Sequence, residues 1–147
     1  MNTSENGLSI IRHFEKSKNK PYQCPAKLWT VGYGHVIGDG KILPNNYNRI
    51  FTQLEINAFL KQDVQIAERA IARYITCKLT QNQFDALVSF TFNLGGGALK
   101  ASSVRAKLNR GDKEGALRIW KMYNKAKGIV LKGLILRRDA EITLFKT

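Results

Sequence analysis

Apolar residues recur at helical spacing over most of this chain, and the rhythm breaks for one stretch near its start. Leu8, Ile11 and Phe14, with Ile10 alongside, form an apolar stripe preceded by the capping candidates Thr3 and Ser4. Pro21 ends any helix by the residue before it. From Tyr22 to His35, aromatic and β-branched residues are broken by Pro25, Gly32 and Gly34, which predicts a small antiparallel hairpin or three-stranded sheet. Gly38-Asp39-Gly40 and Pro44-Asn45-Asn46 mark loops.

Helical patterning then takes over. Thr52-Gln53-Leu54-Glu55 is a capping box that opens a long amphipathic run through Ile56, Phe59, Leu60, Val64, Ala67, Ile71, Tyr74 and Ile75. A second box, Thr80-Gln81-Asn82-Gln83, heads a helix through Phe84, Leu87, Val88 and Phe90 to Leu94, stopped by Gly95-Gly96-Gly97. The spacing predicts another helix over 98–108 and a run from the cap Asp112 to Lys127, with Leu117, Trp120 and Tyr123 as its face. Gly128 interrupts that run, and 133–145 makes the last helix. The order of elements predicts an α+β fold, mostly helical, with a small antiparallel β-hairpin lobe packed against a helical bundle. The expected layout is a single domain over 1–147: an N-terminal helix at 3–16, a β lobe at about 20–45 and a helical lobe at about 52–147. Sites commonly form where such a lobe meets a bundle.

Length and composition agree with one folded domain: 147 residues, 44% apolar and 10% aromatic. No apolar run approaches the roughly 18–20 residues of a membrane span. Met1 to Asn6 lacks the basic-then-apolar layout of a signal peptide, so synthesis in the cytosol is expected. Cys24 and Cys77 are poor candidates for a disulfide in such a chain. The net charge of +13 is uneven: residues 1–73 hold 10 Lys/Arg against 6 Asp/Glu (+4), and 74–147 hold 14 against 5 (+9). Such a field favours an anionic partner, whether nucleic acid, lipid or cell-wall polymer.

The residues with chemistry to offer gather around the break in the helical rhythm. Glu15 closes the first apolar stripe, where partial desolvation would raise its pKa toward that of a general acid; a surface glutamate at a helix end has the same spacing. Thr30 lies between Trp29 and Val31, so if those pack inward its hydroxyl faces out; alone it is an ordinary strand threonine. Cys24 precedes Pro25 and as a lone residue reads as a small buried hydrophobe. A Cys24–His35 peptidase dyad has the right parts but no supporting spacing. A zinc site from Cys24, His35, Cys77 and His13 lacks paired ligand spacing. Arg138 and Glu141 are spaced i, i+3, for which a surface pair is the default.

The spacing Glu15, eight residues, Cys24, five residues, Thr30 resembles the signature of the phage T4-type lysozymes, glycoside hydrolase family 24, in the subgroup with cysteine at the middle position. Trp29-Thr30-Val31-Gly32-Tyr33-Gly34-His35 is similar to the family's hairpin. The stretch from Leu79 to Gly95 resembles its central helix, and that from Gly133 to Glu141 its C-terminal motif. Together these cover essentially the whole chain in order. The family usually has Gly after the glutamate, Leu before the strand and Thr after the histidine. This chain has Lys16, Asn19 and Val36, with Pro21 before Tyr22, which alters the rim of the site more than its centre.

The resemblance implies a lysozyme-like catalytic domain, an endolysin hydrolysing the β-1,4 bond between N-acetylmuramic acid and N-acetylglucosamine with inversion. It implies Glu15 as general acid, Thr30 and Cys24 orienting water, His35 supporting the hairpin and Arg137 approaching Glu15. Tyr33 and Asn93 would contact the sugar. No cofactor or metal is implied. The partners would be bacterial peptidoglycan and a holin-like protein for release from the host cytoplasm to the periplasm, with the enzyme a monomer. Inverting glycosidases normally use two carboxyl groups, and here the second is a thiol with an ordinary pKa of about 8.5. Cys24 could position water, act as a thiolate base if Lys27 depresses its pKa, or form a glycosyl-sulfur intermediate; water positioning is preferred. A cation at Glu15 would lower its pKa and oppose its role as an acid. Two other functions compete. One is a basic nucleic-acid-binding protein, disfavoured because the lysines match no nucleic-acid motif. The other is membrane disruption by the amphipathic region 113–132, whose basic residues would also suit an anionic outer-membrane surface.

Overall fold

The computed structural model describes residues 1–147, whose contacts divide into two compact units. One comprises Glu15–Gln65, the other Met1–Phe14 together with Ile66–Thr147.

The smaller unit is built on a three-stranded antiparallel sheet in the order β1 (Lys18–Gln23), β2 (Trp29–Gly32), β3 (His35–Val36). Tyr22 pairs with Thr30 and Gln23 with Trp29, whereas Lys18 pairs with Gly32, so a bulge lies between Lys18 and Tyr22. Pro21 falls inside that bulge on an edge strand, where its missing N–H costs no ladder hydrogen bond. The extended chain therefore starts before the proline. β2 and β3 are joined through Tyr33-Gly34, with positive φ at Gly32 and Gly34. A Cβ on Gly32 would stand 3.0 Å from the Ile56 side chain, so this glycine also permits close packing on α2 (Gln53–Tyr74). Val31, Ile37, Phe51, Ile56 and Leu60 form the core of the unit. The first capping box is present: Glu55 N–H donates to Thr52 Oγ1 at 3.2 Å, and Thr52 N–H to Glu55 Oε1 at 3.0 Å. Arg49 adds a two-pronged contact that draws the Glu55 pKa down to about 2.

The larger unit is helical. Its helices are α1 (Glu5–Glu15), whose last residue opens the smaller unit, then α3 (Gln81–Leu94), α4 (Gly96–Ala101), α5 (Ser103–Asn109), α6 (Lys113–Lys121) and α7 (Lys132–Lys146), with the C-terminal turns of α2. The second capping box heads α3, and Gly95 at φ 94 ends it. Every residue from Gln83 to Thr91 is buried, so α3 is a central helix covered on all sides. The capping candidates Thr3 and Ser4 use their hydroxyls as donors: Thr3 to Glu68 Oε2 at 2.7 Å, and Ser4 to the buried Asp85.

Two sequence expectations change here. The helix expected over 98–108 is two helices, because Ser102 turns the chain and caps α5 by accepting from Arg105 N–H at 3.1 Å. The run expected from Asp112 to Lys127 ends as helix at Lys121, and residues 125–130 form a hairpin of β4 (Lys125–Ala126) and β5 (Ile129–Val130). Lys127 and Gly128 both take positive φ, the backbone of a tight two-residue turn.

The Arg138–Glu141 pair, expected on the surface, is fully buried, with Nε–Oε1 at 3.1 Å. Glu141 also accepts from Trp120 Nε1 at 2.9 Å and Ser89 Oγ at 2.5 Å, and lies 3.4 Å from Arg137 Nε. Phe90, Trp120, Tyr123 and Phe145 stack edge-on or tilted around it. Burial pushes the Glu141 carboxyl up, opposed by Arg138, Ser89, Trp120 and Arg137 in that order. Removing one partner of a buried ion pair leaves uncompensated charge, which costs roughly 3–5 kcal/mol. Glu141→Gln is therefore expected to lower Tm by about 6–15 °C. Thermal melting followed by circular dichroism checks this, and a shift under about 2 °C would contradict a structural role for the carboxylate.

Candidate active site

α1 ends at Glu15, which is half-buried, and the chain leaves the helix through Lys16 at φ 54. A left-handed residue after a helix is normally glycine, because other side chains crowd the following carbonyl there. The lysine after the glutamate thus sits at a strained backbone position.

Five residues of turn separate β1 from β2. Lys27 N–H donates to Cys24 O at 2.7 Å, closing a tight turn in which Lys27 also has positive φ, 61°. Cys24 N–H donates to Leu28 O at 3.0 Å, so the cysteine is held at the base of this turn, half-exposed and free of any disulfide. Its thiol pKa is lowered, first by hydrogen bonding from the Leu28 backbone, with a further contribution from the Ala26 backbone. Lys27 is not among these causes; backbone N–H groups do what the sequence suggested a cation might do.

Thr30 does not face outward. It is 2% exposed and Val31 is 0% exposed, so both faces of the central strand are covered and the alternation argument fails. The Thr30 hydroxyl donates to Leu28 O at 2.8 Å, which directs its lone pairs away from that carbonyl. Tyr22, Thr30's cross-strand partner, has a phenol pKa raised by burial and then by the negative charges of Cys24 and Glu15. Both predicted site groups therefore lie within electrostatic reach of one ring. Sequence reasoning did not single out Tyr22, although its place opposite Thr30 follows once the hairpin register is known.

His35 Nδ1 lies 2.9 Å from Asp63 Oδ2, and its ring stacks on Phe59 at 4.2 Å. Phe59 and Asp63 are four residues apart on α2, so one helix face grips the imidazole. Asp63 also escaped the sequence reading; its i, i+4 relation to Phe59 was the available signal. Tyr33 is 9% exposed, and its hydroxyl accepts from Gln53 Nε2 at 3.3 Å. Ser17 to Tyr22 and Gln53 line a cavity of about 610 Å³ beside β1, so Asn19 and Pro21 border open space.

Arg137 and Asn93 belong to the helical unit. Arg137 is 2% exposed, donates to Ser89 O at 3.2 Å, and places its guanidinium 5.9 Å from the Phe14 ring centre. Asn93 Oδ1 accepts from Arg138 at 2.7 Å. No three His, Cys, Asp or Glu side chains are disposed to hold a metal ion, and His13 packs edge-on against Phe14.

The smaller unit thus holds a half-buried carboxyl group at Glu15, a half-exposed thiol at Cys24 and a buried hydroxyl at Thr30. The chain belongs to the phage lysozyme family, whose sequence profile matches residues 12–141. It is 39% identical over 155 residues to an endolysin of Acyrthosiphon pisum secondary endosymbiont phage 1, covering 100% of this chain and 99% of that relative. It is 37% identical over 149 residues to an endolysin of Bacillus phage B103, of which it spans 55%. Among solved structures, the muramidase domain of SpmX from Asticaccaulis excentricus matches with a TM-score of 0.87 at 33% identity, over 99% of this chain and 98% of that one. The α+β, mostly helical, lysozyme-like fold is therefore the one expected. No helix is long and apolar enough to cross a membrane.

The backbone at Lys16 and the chemistry at Cys24 each generate a test. Lys16→Gly relieves the left-handed strain at some entropic cost, for a net gain of about 0.5–1 kcal/mol. The expected readout is a rise in Tm of roughly 1–4 °C. Because hydrogen bonding lowers the Cys24 pKa, the thiolate persists to lower pH than in a free cysteine. In a Cys77→Ser background, iodoacetamide should alkylate Cys24 with a pH midpoint below that of free cysteine. A midpoint at or above it would contradict the assigned hydrogen bonds.

Proposed function

We propose that this peptidoglycan-degrading lysozyme hydrolyses the β-1,4 bond between N-acetylmuramic acid and N-acetylglucosamine, with Glu15 as the general acid. The observation that carries the reading is that Glu15, Cys24 and Thr30 fall in one compact unit, with Thr30 paired across the sheet to Tyr22, in a chain of the phage lysozyme family. Glu15 protonates the glycosidic oxygen as the bond to the anomeric carbon breaks. Water attacks that carbon from the opposite face of the sugar, which inverts its configuration. Thr30 supports this step because its proton is committed to Leu28 O, leaving its oxygen as an acceptor for a water O–H. Cys24 supplies a second, softer acceptor, strengthened by the lowered thiol pKa. The water's surplus proton passes to solvent after bond formation. His35, fixed by Asp63 and Phe59, holds the hairpin that carries Thr30. Tyr33 and Asn93 are the proposed sugar contacts, and Arg137 is the proposed cationic neighbour of the acid.

In this reading the enzyme acts as a monomer on the bacterial wall during host lysis. It reaches the wall from the host cytoplasm with the help of a holin-like partner.

Loss of turbidity in membrane-permeabilised Gram-negative cells, with analysis of the new reducing ends, tests the reaction directly. Glu15→Gln should lower turnover by about 10²–10⁴-fold, the range for a lost general acid, with an unchanged circular dichroism spectrum. Cys24→Ser should lose less than about tenfold, and Cys24→Asp should be at least as active as the parent. Undiminished lysis by Glu15→Gln would sink the acid assignment, while a loss of the general-base size in Cys24→Ser would make the sulfur a base or nucleophile.

A further inference from the structure

The segment from Lys121 to Lys132 carries apolar side chains that the core does not use. Met122 is 68% exposed, Ile129 64%, Val130 50% and Leu131 43%. In the β4–β5 hairpin, Lys125 pairs with Val130 and Ala126 with Ile129, so the two pairs stand on opposite faces, and all four residues are exposed. A two-stranded hairpin with both faces in water is marginal by itself. Here Leu131 N–H donates to Asn124 O at 3.0 Å to close its base.

The charge around this patch has one sign. No Asp or Glu occurs between Glu114 and Asp139, while Lys121, Lys125, Lys127 and Lys132 are all exposed. The helical half of the region is not available for the same purpose. Trp120 is fully buried and donates to Glu141, so the apolar face of α6 belongs to the core, contrary to an amphipathic helix over 113–132 lying on a membrane.

Four lysines would satisfy any polyanion. Ile129, Val130, Met122 and Leu131 among them would gain nothing from nucleic acid or a wall polymer, since both leave apolar side chains in water. An anionic bilayer answers both features, because its headgroups attract the lysines and its interface takes up the apolar side chains.

We propose that the β4–β5 hairpin, with Leu131 at its base and the exposed Met122 just before it in the chain, is a docking surface for an anionic lipid bilayer. This does not rest on the lysozyme reaction, and its test is independent of it. The full chain is sedimented with vesicles of equal parts phosphatidylglycerol and phosphatidylcholine, and with vesicles of phosphatidylcholine alone. Binding should require phosphatidylglycerol and weaken as salt rises. The double variants I129D/V130D and K125E/K127E should each weaken it by about tenfold or more, with hydrolysis of soluble peptidoglycan fragments unchanged. Met122→Ser provides a second apolar deletion should I129D/V130D melt early, and it too should weaken sedimentation. Equal binding to both vesicle types would overturn the proposal. So would full binding by I129D/V130D and Met122→Ser, because lysine-only attachment, matched by duplex DNA, would assign the patch to polyanions in general.

Discussion

Glu141 collects two guanidiniums, a hydroxyl and an indole N–H at a point with no access to water, and the helical unit is arranged around that convergence. Its partners come from α3 (Ser89), α6 (Trp120) and α7 (Arg137 and Arg138), so one carboxylate ties three helices together. A buried ion cluster is tolerable only when its hydrogen-bonding capacity is met, which demands a particular register of each helix against the others. Arg138 passes the constraint on to Asn93 at the end of α3, and Phe90 and Phe145 pack against Trp120 around the network. Arg137, the proposed cationic neighbour of the acid, therefore also has structural work, and α6 cannot leave the core for another surface.

The smaller unit reaches its geometry by different means. It has few residues with which to build a core, so backbone conformation and hydrogen bonds to backbone groups carry much of the specification. A bulge accommodates Pro21, two glycines reverse the chain between β2 and β3, and left-handed Lys16 and Lys27 bracket the strand that leads to Cys24. The consequence for chemistry is direct. Leu28 has no reactive group, yet its carbonyl accepts from the Thr30 hydroxyl and the Cys24 N–H, and its own backbone lowers the Cys24 thiol pKa. Backbone hydrogen bonds thereby lower the Cys24 thiol pKa without a cation among the causes.

Much of this was legible from the residues. The spacing of Glu15, Cys24 and Thr30, with the two later motifs, pointed to the family and its scaffold. Thr30 was misread in orientation because alternation presumes one wet face, whereas the central strand of this sheet has none. The continuation of α6 to Lys127 was misread because apolar and basic residues suit an amphipathic helix and an exposed hairpin equally well. Two consecutive left-handed residues at Lys127 and Gly128 settle it for the hairpin.

The features readable in advance are those whose partners lie within about four residues in the chain: the capping boxes at Thr52 and Thr80, the cap at Asp112, and the stop at Gly95. Their hydrogen bonds close locally, so the residues that make them also announce them. The burial of Arg138 with Glu141, the grip of Asp63 on His35 and the pairing of Tyr22 with Thr30 belong to another order of information. Each depends on groups delivered from another element or strand, at a distance and exposure set by packing. Desolvation and charge proximity act through space, so these groups acquired their properties only when the chain had folded.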